Sequence, residues 1–148
     1  MATLIKENSQ APSFTLPDQD GAQHSLADYK GKWVLLYFYP KDDTSGCTKQ
    51  ACMVRDALPD FSKLDVTVLG VSVDAVASHK RFAEKYSLPF TLLADEDKKV
   101  SGAYGVLGEK GMALRTSFLI DPDGKVAKVY ENVDPATHAE MVLGYFEK

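Results

Sequence analysis

The sequence is poor in cysteine: its 148 residues hold only 2. That count excludes a disulfide-dense secreted scaffold. No apolar run approaches the ~20 residues needed to cross a bilayer, and Met1 to Ser9 lacks the apolar stretch of a signal peptide. The expected compartment is therefore the cytosol (cytoplasmic), where thiols are kept reduced. Excess positive charge is missing too, with 17 Lys+Arg against 21 Asp+Glu and a net charge of -4. Nucleic acid is an unsuitable main partner, because phosphate binding needs clustered cations. No repeat, low-complexity stretch or Pro/Gly/Ser-rich linker divides the chain.

What is present is ordinary for a globular protein: 45% apolar and 26% charged residues. A single domain over residues 1–148 is expected, long enough to bury a real core. Ser13 to Leu16 alternates polar and apolar, then meets the turn signal Asp20-Gly21. Ser25 to Asp28 reads as a short helical turn closed by Gly31. Trp33 to Tyr39 is continuously apolar, as a strand buried on both faces is, and Pro40 ends it. Cys47 to about Leu58 has helical spacing, with Pro59 as the expected breaker. Val66 to Val73 is a second buried strand, completing a right-handed βαβ unit.

Further along, helices are expected over Val76 to Tyr86, Asp97 to Tyr104 and Pro135 to Phe146. Strands are expected over Phe90 to Ala94, Thr116 to Ile120 and Val126 to Tyr130, the last two joined by Asp121-Pro122-Asp123-Gly124. An N-terminal hairpin, a parallel βαβ half and an antiparallel ββα half give an α/β protein with a mixed central sheet flanked by helices. That is the outline of a thioredoxin-like fold.

The two cysteines carry the chemistry. Cys47 falls at a strand-to-helix junction, where α/β active sites collect. Asp43, Thr44 and Ser45 before it can cap the helix, and the helix start stabilises an anion. A thiolate there is expected to be the reactive form, with a lowered pKa. Cys52, among Ala51, Met53 and Val54, reads by itself as helix packing.

The spacing is Cys-x4-Cys. On an ideal helix the two Cα atoms lie roughly 8.6 Å apart, beyond the ~7 Å limit for a disulfide. If both are helical, they cannot bond until the first turn unwinds. One chemistry fits thiols that must move to meet. A thiolate attacks a hydroperoxide O–O bond, becomes a sulfenic acid, and condenses with the second thiol. Charge develops on the leaving oxygen, so the site needs donors and a fixed cation, best an Arg. Thr44 offers a hydroxyl three residues before Cys47.

These residues resemble a known family. Pro40-x3-Thr44-x2-Cys47 is similar to the peroxiredoxin active-site motif, Pro-x3-Thr/Ser-x2-Cys. Cys52 resembles the resolving position of the bacterioferritin comigratory protein, or peroxiredoxin Q, subfamily. Ala11-Pro12-Ser13-Phe14-Thr15-Leu16, Gly70-Val71-Ser72 and Arg115-Thr116-Ser117-Phe118-Leu119-Ile120-Asp121 extend the resemblance over nearly the whole chain. It implies a thioredoxin fold and a peroxidase for hydrogen peroxide and organic hydroperoxides that needs no metal, haem or flavin. It implies Cys47 as peroxidatic nucleophile and Cys52 as resolving thiol, joined in an intramolecular disulfide. Thr44 would hydrogen-bond thiolate and peroxide, Arg115 would hold the thiolate and polarise the substrate, and Pro40 would shield the pocket. Thioredoxin, or glutaredoxin, would regenerate the enzyme, and the subfamily is often monomeric. Ser45 departs from a common Pro, and Gln50 from a common Glu.

Two other readings stay open at this stage: a peroxide-sensing redox switch with chaperone-like binding, and a general dithiol oxidoreductase on the same fold. His24, His79 and His138 show no zinc spacing. Gly102, Gly105, Gly108 and Gly111 read as a flexible loop, not a phosphate cradle. Trp33, Tyr37, Phe38 and Tyr39 read as core, with Tyr39 a candidate for the pocket wall.

Overall fold

The computed structural model describes residues 3–147. Strand β1 (Thr15–Pro17) pairs antiparallel with β2 (Gln23–Ser25) as the expected hairpin. Asp18 Oδ1 accepts the N–H groups of Asp20 and Ala22, and Gly21 takes φ +83 to complete the turn. A 3-10 turn (Leu26–Tyr29) follows, its start closed by a capping box between Ser25 and Asp28.

The main sheet has five strands in the order β5-β4-β3-β6-β7. They are β3 (Trp33–Phe38), β4 (Val66–Ser72), β5 (Thr91–Ala94), β6 (Thr116–Ile120) and β7 (Val126–Tyr130). Strands β3, β4 and β5 run parallel, while β6 and β7 are antiparallel additions on the other side of β3. The helices are α1 (Ser45–Lys63), α2 (Val76–Tyr86), α3 (Lys99–Ala103) and α4 (His138–Gly144).

The continuous apolar run of β3 is explained by burial on both faces. Leu35, Tyr37 and Tyr39 enter one core with Cys47, Ala51 and Val54 of α1. Val34, Leu36 and Phe38 enter the opposite core with Phe14, Tyr104 and Phe118. Successive side chains of a strand point to opposite faces, so both sets must be apolar.

Three expectations are corrected. Pro59 does not end α1, which runs on to Lys63. Pro59 faces solvent, and Phe61, fully buried two residues later, holds the last turn against the sheet. That burial outweighs the one backbone hydrogen bond Pro removes. The last helix is regular only from His138, because Asp134 first forms a turn, accepting the N–H of Ala136 on its side chain and those of Thr137 and His138 on its carbonyl. The glycine loop is pinned, not loose: Leu107 bridges Ala113, Gly108 N–H bonds Met112 O at 2.8 Å and Leu114 N–H bonds Val106 O at 2.7 Å. Gly105 is required there, because it has φ +75 and any Cβ would collide with the backbone of Thr3 and Leu4.

Candidate active site

The site forms where β3 hands over to α1. Tyr39 still donates its N–H to Val71 O at 3.0 Å, and the chain then turns through Pro40 to Asp43, which sits at φ +60. Thr44 is the N-cap residue, with extended backbone at φ -90 and ψ 158. Cys47 is the third helical residue and only 2% exposed. The N–H groups of this first turn have no partner within the helix, so the thiol lies at the positive end of the helix.

Arg115 reaches the same place from another strand. Phe38 pairs with Thr116 in the antiparallel β3–β6 ladder, which sets Arg115 beside the end of β3. Its Nη2 donates to Cys47 Sγ at 3.3 Å and its Nη1 to Gln50 Oε1 at 2.6 Å. Gln50 is fully buried one turn after Cys47, so the guanidinium is gripped by α1 at two consecutive turns. Gly46 makes the approach feasible, since a Cβ there would lie 3.1 Å from Arg115 Nη2.

Pro40 and Arg115 both line an open cleft of about 420 Å³, walled by Met112, Ala113 and Leu114. Thr44 is close in sequence, but its hydroxyl donates to Lys41 O at 2.9 Å, not to the thiol. The hydroxyl oxygen keeps its lone pairs for accepting a hydrogen. Cys52 lies farther along the intact α1, half-buried, and both cysteines are free thiols. The structure thus brings Cys47 and Arg115 into contact, puts Pro40 on the cleft wall, and keeps Cys52 apart.

Where β3 leads into α1 lies a polar network that the sequence did not reveal. Tyr39 does not wall the cleft; its hydroxyl donates to Asp42 Oδ1 at 2.6 Å. Burial pushes the Tyr39 phenol well above its usual range, and the Asp42 charge adds to this, so it stays a donor. Asp42 Oδ2 also meets Ser78 Oγ at 2.8 Å and His79 Nδ1 at 2.7 Å. Asp42, Asp74 and His79 bring ligand-type atoms within 4.8 Å of one another. Asp74 Oδ2 accepts from the Asp42 N–H and from Ser72 Oγ, so hydrogen bonds within the protein tie this cluster together. His138, buried against Ser117 Oγ at 2.8 Å, is pushed down to about 4, first by burial and then by the Arg115 charge. The signals for Gly46, Asp42 and His79 were weak ones: a glycine inside a first helical turn, an acid beside a buried strand end and a His on a buried face.

A strand-to-helix thiol held by a guanidinium, on a mixed sheet of this topology, defines the class: a thiol peroxidase of thioredoxin-like fold. The chain belongs to the AhpC/TSA family, which it matches over residues 8–129. It is 48% identical over 147 residues to the putative peroxiredoxin bcp of Coxiella burnetii, covering 95% of this chain and 97% of that one. Its structure is similar to that of peroxidoxin BcpB from Mycobacterium tuberculosis, with a TM-score of 0.89, 34% identity and 95% of each chain covered. The Xanthomonas campestris bacterioferritin comigratory protein, studied for alkyl peroxide reduction, is similar at a TM-score of 0.87 and 32% identity, covering 99% of this chain and 98% of that one. The family takes peroxide substrates and a thiol reductant. Among the described residues no helix is long and apolar enough to cross a membrane.

Proposed function

We propose that Cys47 is the peroxide-attacking thiol of this enzyme, that Cys52 resolves it, and that thioredoxin restores the pair. The observation that carries the reading is the 3.3 Å contact from Arg115 Nη2 to Cys47 Sγ at the start of α1. The sulfur attacks the distal oxygen of a hydroperoxide and the O–O bond breaks. Cys47 becomes a sulfenic acid, and the other oxygen leaves as alcohol or water after gaining a proton. Arg115 stabilises charge on the reacting oxygens, and Thr44 Oγ1 accepts a hydrogen from the peroxide, its own hydrogen being given to Lys41 O. Pro40 shields the pocket wall. Substrates include hydrogen peroxide and organic hydroperoxides, whose apolar tails suit the Met112, Ala113 and Leu114 side of the cleft.

Resolution needs a change of shape. Both cysteines lie in α1, where five residues of ideal helix hold the Cα atoms about 8.6 Å apart. The first turns unwind, the Cys52 thiolate attacks the Cys47 sulfenic sulfur, and hydroxide leaves as water on protonation. Two electrons from a dithiol then reduce the disulfide. Because both thiols belong to one chain, the cycle runs in a monomer. A thioredoxin-coupled peroxide assay tests the reading. Wild type should turn over, Cys47→Ser should be inactive, and Cys52→Ser should react once and stall unless an external thiol is added. Full activity in Cys47→Ser would overturn the assignment.

A further inference from the structure

The cysteine-bearing part of α1 is fastened to α2 on both sides. Upstream, Asp43 accepts from Lys85 Nζ at 2.8 Å and from Tyr86 Oη at 2.7 Å. The buried Asp42 carboxyl faces Ser78 Oγ at 2.8 Å and His79 Nδ1 at 2.7 Å. Downstream, Arg55 Nη1 donates to Tyr86 O at 2.7 Å. Residues 44 to 54 lie between these ties.

His79 is the deepest of them, fully buried and clamped from two sides. Its Nε2 lies 2.9 Å from Leu93 O, and a carbonyl only accepts, so Nε2 carries a hydrogen. Its Nδ1 lies 2.7 Å from Asp42 Oδ2, two residues before the N-cap, and since a carboxylate oxygen only accepts, the contact holds a second hydrogen between ring and carboxyl. His79 therefore grips the chain that leads into the first turn of α1, without touching the reacting sulfur. Unwinding that turn drags on Asp42, whose partners are buried and costly to leave unmet.

We propose that His79, acting through Asp42, is a positioning residue that sets the balance between folded α1 and the unwound form in which Cys47 meets Cys52. The inference rests on the disulfide cycle proposed above. Folded α1 is the dominant state, so weakening the grip changes the peroxide step little. Resolution draws on the minor unwound population and scales with it directly.

Two isosteric variants separate the two faces of the ring. His79→Gln keeps a donor toward Leu93 and gives up Asp42; His79→Asn does the reverse. After one equivalent of hydrogen peroxide, His79→Gln should form the Cys47–Cys52 disulfide about tenfold faster than wild type. It should also need about tenfold more peroxide to overoxidise Cys47 to sulfinic acid, while its peroxide rate constant stays within about twofold. His79→Asn should resemble wild type. Equal resolution rates in His79→Gln and wild type would overturn the proposal, as would equal changes in both variants. A general loss of structure would instead lower both chemical steps together, and that outcome also counts against it.

Hydrogen exchange of reduced protein adds an arm that needs no peroxide. Residues 44 to 54 should exchange about tenfold faster in His79→Gln, and unchanged exchange refutes the grip. Failure of wild type to form the disulfide counts against the cycle, and exchange then decides the grip separately. Should His79→Gln not fold, Ser78→Ala removes a milder donor to the same Asp42 oxygen and should shift exchange and resolution the same way, about threefold.

Discussion

Replacing Arg115 with Met keeps a long apolar stem and deletes the charge that faces Cys47. At the observed 3.3 Å, a full charge pair interacts by about 5 kcal/mol at an effective dielectric of ~20. Only the part that grows between the ground state and the transition state affects the rate. Losing one donor aimed at developing charge costs about 2.7–4 kcal/mol, or roughly 100- to 1,000-fold. Arg115→Met should therefore lower the second-order rate constant with hydrogen peroxide by about 100-fold or more, read by competition with a haem peroxidase. Arg115→Lys should fall about tenfold, because one ammonium cannot match the two-armed grip on Sγ and Gln50 Oε1. Arg115→Met also leaves the buried Gln50 oxygen without this donor, which should lower stability by about 1–3 kcal/mol in urea unfolding. A rate constant within threefold of wild type in folded Arg115→Met would refute the reasoning.

Gly46→Ala should reduce the peroxide rate constant about fivefold without loss of thermal stability, since the new Cβ presses on Arg115 Nη2 while Ala favours helix. A rate equal to wild type would mean that Arg115 needs no such close approach. His138 is held neutral in the fold, with its value pushed down to about 4 against 6.5 in the unfolded chain. Below pH 6.5 the unfolded chain takes up the proton first, so stability should decline as the pH falls from 6.5 toward 4, by about 3 kcal/mol in total. His138→Gln should flatten that slope in urea titrations; an unchanged slope would assign it to other groups. Hydrogen exchange over residues 44 to 54 should be faster in the oxidised than in the reduced protein, and equal protection would contradict the unwinding step.

Much of the fold was legible because burial leaves a pattern. The run from Trp33 to Phe38 and the β-branched Val66 to Ser72 could only be strands covered on both faces. Helix limits were less legible. Pro59 is a breaker by local rules, yet Phe61 is held by a core assembled from distant segments. At the site, Cys47 stood out through its polar flank and helix-start position, although Thr44, the N-cap residue, makes no side-chain cap hydrogen bond. Arg115 rested on family resemblance, because nothing in a lone Arg before a strand tells that a β3–β6 pairing will lay it on a sulfur 68 residues away. The Asp42–His79 contact spans 37 residues and was invisible for the same reason: long-range pairing follows from topology, which local periodicity does not encode.

The central claim is that Cys47 attacks the peroxide while Cys52 waits on the same helix. The most direct test traps the sulfenic acid with a dimedone-type probe after one equivalent of peroxide, then maps the adduct by peptide mass spectrometry in Cys52→Ser and Cys47→Ser. A stoichiometric adduct is expected on Cys47 in Cys52→Ser, and none on Cys52 in Cys47→Ser. An adduct on Cys52 with Cys47 unlabelled would contradict the claim.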